Sequence, residues 1–292
     1  MRFVIALVQE RGILPRSAAV YFSQVQGWHA KTHGVKLCGG LKLERMPAML
    51  KGLRRTHGDP ARKVRRGFSP QALRTAMDLL LDPRDPAHAN VRAALATALQ
   101  GLLRNSEFAV DEGVLWKATK HINRADLVEL TDERMVLMIS PCKNSRQLSG
   151  KTSPLVIGAG GTFIDAVAEV RNLLSVDPVP DHLKHSTPMF RTPVDNQPLR
   201  SNSVMNWTRD LLRSIGENPL QVGTHSFRIG GATALFAAGA DETVIRTMGR
   251  WSSDIHRLYV RACFERCVEW TKMAGSTALH DLAHDFDEVD DY

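Results

Sequence analysis

The chain has little cysteine, little tyrosine and no long apolar run, and each shortage closes off a class of protein. Its 292 residues hold four cysteines, Cys38, Cys142, Cys263 and Cys267. None is spaced as a C-x-x-C pair, and no disulfide framework is legible. Cys263 and Cys267 could share a helix face, but no nearby histidine pair completes a zinc site. Reduced, largely buried thiols of an intracellular protein are expected. The apolar run Arg2–Val8 is interrupted at once by Gln9-Glu10-Arg11. It is too short for a membrane span and carries no cleavage signature, so it is expected to begin a helix packed into the first domain. Repeats and long low-complexity segments are absent as well. Tyrosine is limited to Tyr21, Tyr259 and Tyr292. If a phenol is a nucleophile here, the choice is nearly forced onto Tyr259.

The charge that is present is mostly positive. Against 38 lysines and arginines stand 31 acids, for a net charge of +7. The stretch 276–292 holds Asp281, Asp285, Asp287, Glu288, Asp290 and Asp291 and no lysine or arginine, so the body is more basic still. A basic body points to a polyanion, with nucleic acid the leading candidate, although many soluble proteins are mildly basic. The length suits two modest domains, each large enough for a core.

Breakers and charge divide the chain. Residues 1–58 read as helical, with Ser17–Trp28 as an amphipathic core element and a second helix over Leu43–Arg55. Residues 59–68 are breaker-rich and strongly basic and read as a linker. The stretch also fits a solvated hinge or a nuclear-import signal. From Ser69 on the pattern is mostly helical, with short strands between about Asp126 and Ile157 and an amphipathic helix over Ser201–Ile215. Residues 69–275 form the second domain and 276–292 an acidic tail, expected to be disordered or self-masking. The fold class is therefore mainly α with a small β-sheet.

The densest chemistry lies between His225 and Arg261. His225 and Arg228 are three apart and on a helix would share a face. Thr224 could cap that helix and Gly239 end it. Small residues between them, Gly230-Gly231-Ala232, would let another backbone approach closely. A helix N-terminus favours a phosphate, and Arg228 could offer a fork of donors to two of its oxygens. His225 could donate a hydrogen bond or move a proton near neutral pH. An isolated H-x-x-R more often decorates a surface helix; here Trp251 and Tyr259 follow at short range, with Arg250, Arg257 and Arg261 around them.

Read together, H-S-F-R-I-G-G-A-T at 225–233, G-R-W-S-S-D at 249–254 and Tyr259 resemble the C-terminal signature of the tyrosine recombinase (phage integrase) family, in the form seen in integrase-like proteins of mobile elements. Two further members of the pattern lie upstream. Arg104, on a helix and followed three residues later by Glu107, resembles the family's first catalytic arginine and its supporting acid. Lys143, in the turn Pro141–Ser145 after the strand Arg134–Ser140, resembles the mobile hairpin lysine. Trp251 stands where many members carry His and others Trp, one residue closer to the tyrosine than in the common pattern. It is read as an active-site wall with an N–H donor, or as a core aromatic.

The resemblance implies a small helical core-binding domain (1–58) and a catalytic domain clamping double-stranded DNA. Across the linker, Lys51, Arg54, Arg55, Arg62, Lys63, Arg65 and Arg66 would contact phosphates without reading bases. The first domain is short for the family, which leaves room for a missing leading helix. The resemblance also implies a tetramer on paired DNA sites. The apolar stripe Val260, Phe264, Cys267 and Val268 is a docking face or simply core. Tyr259 would form a 3′-phosphotyrosine, Arg104, Arg228 and His225 would stabilise the phosphorane, and Lys143 would protonate the leaving oxygen. No cofactor, metal or membrane is implied, since no acidic cluster suggests a two-metal site. A nuclear or bacterial-cytoplasmic address would look alike. A type IB topoisomerase, a catalytically silent domesticated DNA-binding protein and a hydrolytic nuclease are the rivals, in falling order of fit.

Overall fold

The computed structural model describes residues 1–35, 37, 43–58, 66–139, 153–223 and 225–251. Outside the described residues lie Arg62, Lys63, Arg65, Lys143, Thr224 and Tyr259, the four cysteines, the stripe after Tyr259 and the acidic tail. The chain divides into two compact units, Met1–Lys63 and Val64–Tyr292.

The smaller unit contains α1 (Arg2–Gln9), α2 (Pro15–His33) and α3 (Arg45–His57). Pro15 supplies a preset φ at the start of α2, and Gly34 ends it at φ 72. Its core is thin: Val4, Val8, Ala18 and Leu53 are buried, with Ile5, Phe22 and Leu50 packed against them. The expectation that 17–28 is a core element is corrected here. Only Ala18 of that stretch is buried, while Val20, Tyr21 and Trp28 are exposed. The reason is geometric: Ala18 and Phe22 face the unit's core, while Val20, Tyr21, Val25 and Trp28 fall on the exposed side of the helix.

The larger unit opens with Arg66 to Phe68 laid along its surface and into its core. The Arg66 N–H donates to the Gln221 carbonyl (2.8 Å) and the Phe68 N–H to that of Ser226 (3.2 Å). Phe68 stacks on Phe227 at 5.0 Å. Next come α4 (Pro70–Leu80), whose N-terminus the Ser69 hydroxyl caps by accepting from the Ala72 N–H, and α5 (Pro86–Gln100). Every residue of α5 from Ala89 to Leu99 is buried. An alanine-rich helix apolar nearly all round becomes the centre of a unit rather than its surface. The short α6 (Asn105–Phe108) follows, then an antiparallel meander of β1 (Leu127–Leu130), β2 (Arg134–Ile139) and β3 (Ser153–Gly158). Met135 pairs with Ile157 and Leu137 with Leu155, putting alternate buried residues on the core face. After α7 (Ala166–Val176), a small hairpin joins β4 (Arg191–Thr192) and β5 (Gln197–Pro198), and Asn196 takes φ 52 in its turn. The last described elements are α8 (Ser201–Ser214), α9 (Ser226–Ala237) and α10 (Glu242–Met248). This is the expected class, mainly α with a small sheet. No described helix is long and apolar enough to cross a membrane.

Helix α9 is held close on two sides by its paired glycines. A Cβ on Gly230 would collide with the Phe68 backbone, and one on Gly231 with the Leu99 carbonyl. The small residues of the motif therefore serve packing: they seat α9 against α5 and the entry segment, and so fix where Arg228 lies.

Candidate active site

The site is assembled where the end of α5, the start of α9 and the end of α10 meet. Helix α5 stops at Gln100, and Leu102 then takes φ 50, a left-handed conformation uncommon for a bulky residue. The chain thereby turns sharply and delivers Arg104 in extended conformation as the N-cap of α6. Arg104 was expected on a helix; it instead precedes one, because the helix cannot run through the left-handed turn at Leu102. The three-residue spacing to Glu107 still works, by a different geometry. Glu107 accepts from the Arg104 backbone N–H (2.8 Å) and from its guanidinium Nη1 (2.9 Å).

Glu107 gathers three arginines. Arg250 Nη2 donates to its Oε2 at 3.0 Å, and Arg228 Nη1 lies 3.9 Å from the same oxygen. Arg228 has no exposed surface. Its Nη1 donates to the Leu102 carbonyl (3.0 Å), its Nη2 to that of Gly249, and its Cζ sits 4.4 Å above the Trp251 ring. Trp251 itself is buried with Leu102, Ala232 and Ile245. Stacking a guanidinium on an indole compensates part of the cost of burying its charge.

His225 and Arg228 do not present one shared surface. His225 occupies the N-cap position of α9 without a side-chain cap bond and is exposed, whereas Arg228 turns inward. In this arrangement the donors of Arg228 engage carbonyls rather than facing solvent. The His225 imidazole is pushed below its ordinary pKa, first by desolvation and then by the positive charges of Arg228 and Arg104. It is thus biased to the neutral form.

Lys51, Arg54 and Arg55 are exposed on α3 in the smaller unit, on either side of buried Leu53. In the larger unit Arg66 pairs with Glu217 through an exposed ion pair. What sequence reading missed is Arg250, noted only as a neighbouring cation. Its value comes from a tertiary contact across 143 positions, which no local periodicity encodes.

Comparison with solved structures shows the same fold in a recombinase and in integrases. A structure of XerA recombinase aligns with 94% of this chain and 80% of its own, at 13% identity and a TM-score of 0.50. A Tn1549 transposon integrase in complex with circular intermediate DNA aligns over 94% of this chain and 98% of its own, at 13% identity and TM-score 0.51. A lambda integrase dimer bound to a core site aligns over 88% of this chain and 62% of its own, at 11% identity and TM-score 0.53. The chain has the fold of these tyrosine recombinases. No family model matches it, and no curated protein does.

Proposed function

We propose that the protein is a tyrosine recombinase that cleaves and rejoins strands of double-stranded DNA. The observation that carries this reading is the gathering of three guanidiniums at one point of the fold. Arg104, Arg228 and Arg250 converge on Glu107, with His225 at the exposed rim close enough to feel the charges of Arg104 and Arg228. Such fixed positive charge suits the extra negative charge that phosphodiester cleavage places on non-bridging oxygens. Arg104, whose side chain is about a quarter exposed at 28%, is the member oriented to meet a phosphate first.

In this mechanism the Tyr259 oxygen attacks phosphorus, the bond to the 5′-oxygen breaks, and that oxygen takes a proton from Lys143. A 3′-phosphotyrosine forms, and attack by a 5′-hydroxyl reverses the sequence without ATP. Neighbouring cations favour the phenolate nucleophile. His225 donates to a non-bridging oxygen, Arg228 and Trp251 form the floor, and Glu107 holds Arg104. The fixed cations neutralise charge that a metal ion would otherwise meet, so the chemistry is expected to run in EDTA. The smaller unit, with Lys51, Arg54 and Arg55, and the basic stretch 59–68, with Arg62, Lys63, Arg65 and Arg66, grip the DNA backbone. Four copies on paired sites complete a strand exchange.

The test is covalent trapping. The protein is mixed with a labelled pool of nicked, randomised duplexes in EDTA and run on a denaturing gel beside Tyr259→Phe. A protease-sensitive adduct absent from the variant is the expected result. DNA binding without any adduct would favour the catalytically silent reading.

A further inference from the structure

We propose that Arg250 is a positioning residue that fixes Arg104 for phosphate contact, acting through Glu107; the proposal rests on the strand-transfer reading above. Three described non-glycine residues have positive φ, and two of them, Leu102 (φ 50) and Arg250 (φ 55), meet at this site. Backbone held in a sparsely populated region persists only where its surroundings over-determine it, and it concentrates at functional sites. Here the two strained residues hold one another. Arg250 Nη1 donates to the Met248 carbonyl (2.9 Å) and to that of Gly101 (3.3 Å), while Nη2 reaches the Leu102 carbonyl at 3.4 Å and Glu107 Oε2 at 3.0 Å.

These contacts converge on Arg104 by two routes. The Gly101 and Leu102 carbonyls belong to the turn that delivers the Arg104 backbone. The Glu107 carboxylate holds both the Arg104 backbone N–H and its guanidinium. Arg250 therefore fixes the start and the end of the lever on which Arg104 is mounted. The geometry requires a planar fork, because one side chain must reach a carboxylate and three carbonyls at once. A lysine, a single ammonium on a flexible stem, cannot span them. The Arg250 side chain is itself only 12% exposed, so it serves the site from behind.

The experiment uses the full chain and the nicked duplex that yields the Tyr259-dependent adduct. Single-turnover adduct formation and DNA affinity are measured separately for wild type, Arg250→Lys, Glu107→Gln and the double variant, with thermal unfolding as the check on folding. Arg250→Lys should slow adduct formation about 10- to 100-fold, the loss usual for partners that orient a functional side chain. Its DNA affinity should stay unchanged. In the Glu107→Gln background the same change should cost clearly less than it does alone, because one of the two routes to Arg104 is already broken. Wild-type rates in Arg250→Lys would overturn the proposal, as would a full additional loss in the double variant. A wild type that forms no adduct would instead remove the strand-transfer reading and the proposal with it. The two failures are thus distinct.

Discussion

Two carboxylates in the larger unit are each shared by several arginines, and they manage charge in opposite ways. Asp177 is 6% exposed and accepts from Arg124 (2.9 Å), Arg191 (2.5 and 3.0 Å) and Asn90 (3.0 Å). Arg124 beside it is 1% exposed, and burial lowers its pKa to about 10. Desolvation works to raise the Asp177 pKa, but hydrogen bonds from Arg191 and Asn90 and the charges of Arg124 and Arg191 outweigh it and hold it low. This cluster is a closed structural joint between α5, β4 and the end of α7. Glu107 also sits among arginines, yet its partner Arg104 reaches solvent, and the exposed His225 nearby is held below its ordinary pKa. The lesson is that arginine–carboxylate geometry alone does not mark a site. What sets the Glu107 group apart is a guanidinium that reaches solvent and a support with two left-handed residues, Leu102 and Arg250.

The sharpest way to break the comparison is Asp177→Ala. It strands two arginines, one fully enclosed, and is expected to cost about 3–5 kcal/mol of stability, read from denaturant midpoints at unchanged slope. If stability barely moves, the joint is not closed. Arg104→Ala should do the reverse, slowing adduct formation about 10²–10³-fold with little change in unfolding. Replacing Lys51, Arg54 and Arg55 by alanine should weaken DNA binding for all sequences alike. Each lost phosphate contact should lower the slope of log K against log salt by about 0.9.

The smallest expected effect concerns pH. The His225 pKa is lowered in the folded state, so the unfolded chain binds the proton more readily. The histidine's contribution to stability is then complete above about pH 6.5 and is lost as pH falls toward the folded value. His225→Gln should flatten that part of the acid unfolding profile; an unchanged profile would mean that desolvation and the two arginines do not act on it.

While Arg104 and Glu107 are singled out by the family resemblance alone, periodicity and breakers made the strands between about Asp126 and Ile157 legible, as well as the helix over Ser201–Ile215. They could not show that the Arg104 segment is a strained turn rather than a helix, since the left-handed Leu102 depends on its carbonyl meeting Arg228 and Arg250. Nor could a three-residue spacing show that Arg228 turns inward while His225 stays at the rim. Helix α2 misled for a related reason: its apolar residues promised a core, but burial depends on which faces other helices cover. The contacts that gave Arg250 and Asp177 their roles are all long-range, and local pattern is blind to them.

If the Glu107 cluster serves phosphate chemistry and the Asp177 cluster the fold, removing one arginine from each separates the two properties. Arg104→Ala and Arg191→Ala would be compared for single-turnover adduct formation and for thermal unfolding, side by side. Arg104→Ala is expected to lose the adduct and keep its stability, and Arg191→Ala to lose stability while its folded fraction still forms the adduct. Equal losses of stability in both variants, with no separate loss of adduct in Arg104→Ala, would contradict that division of roles.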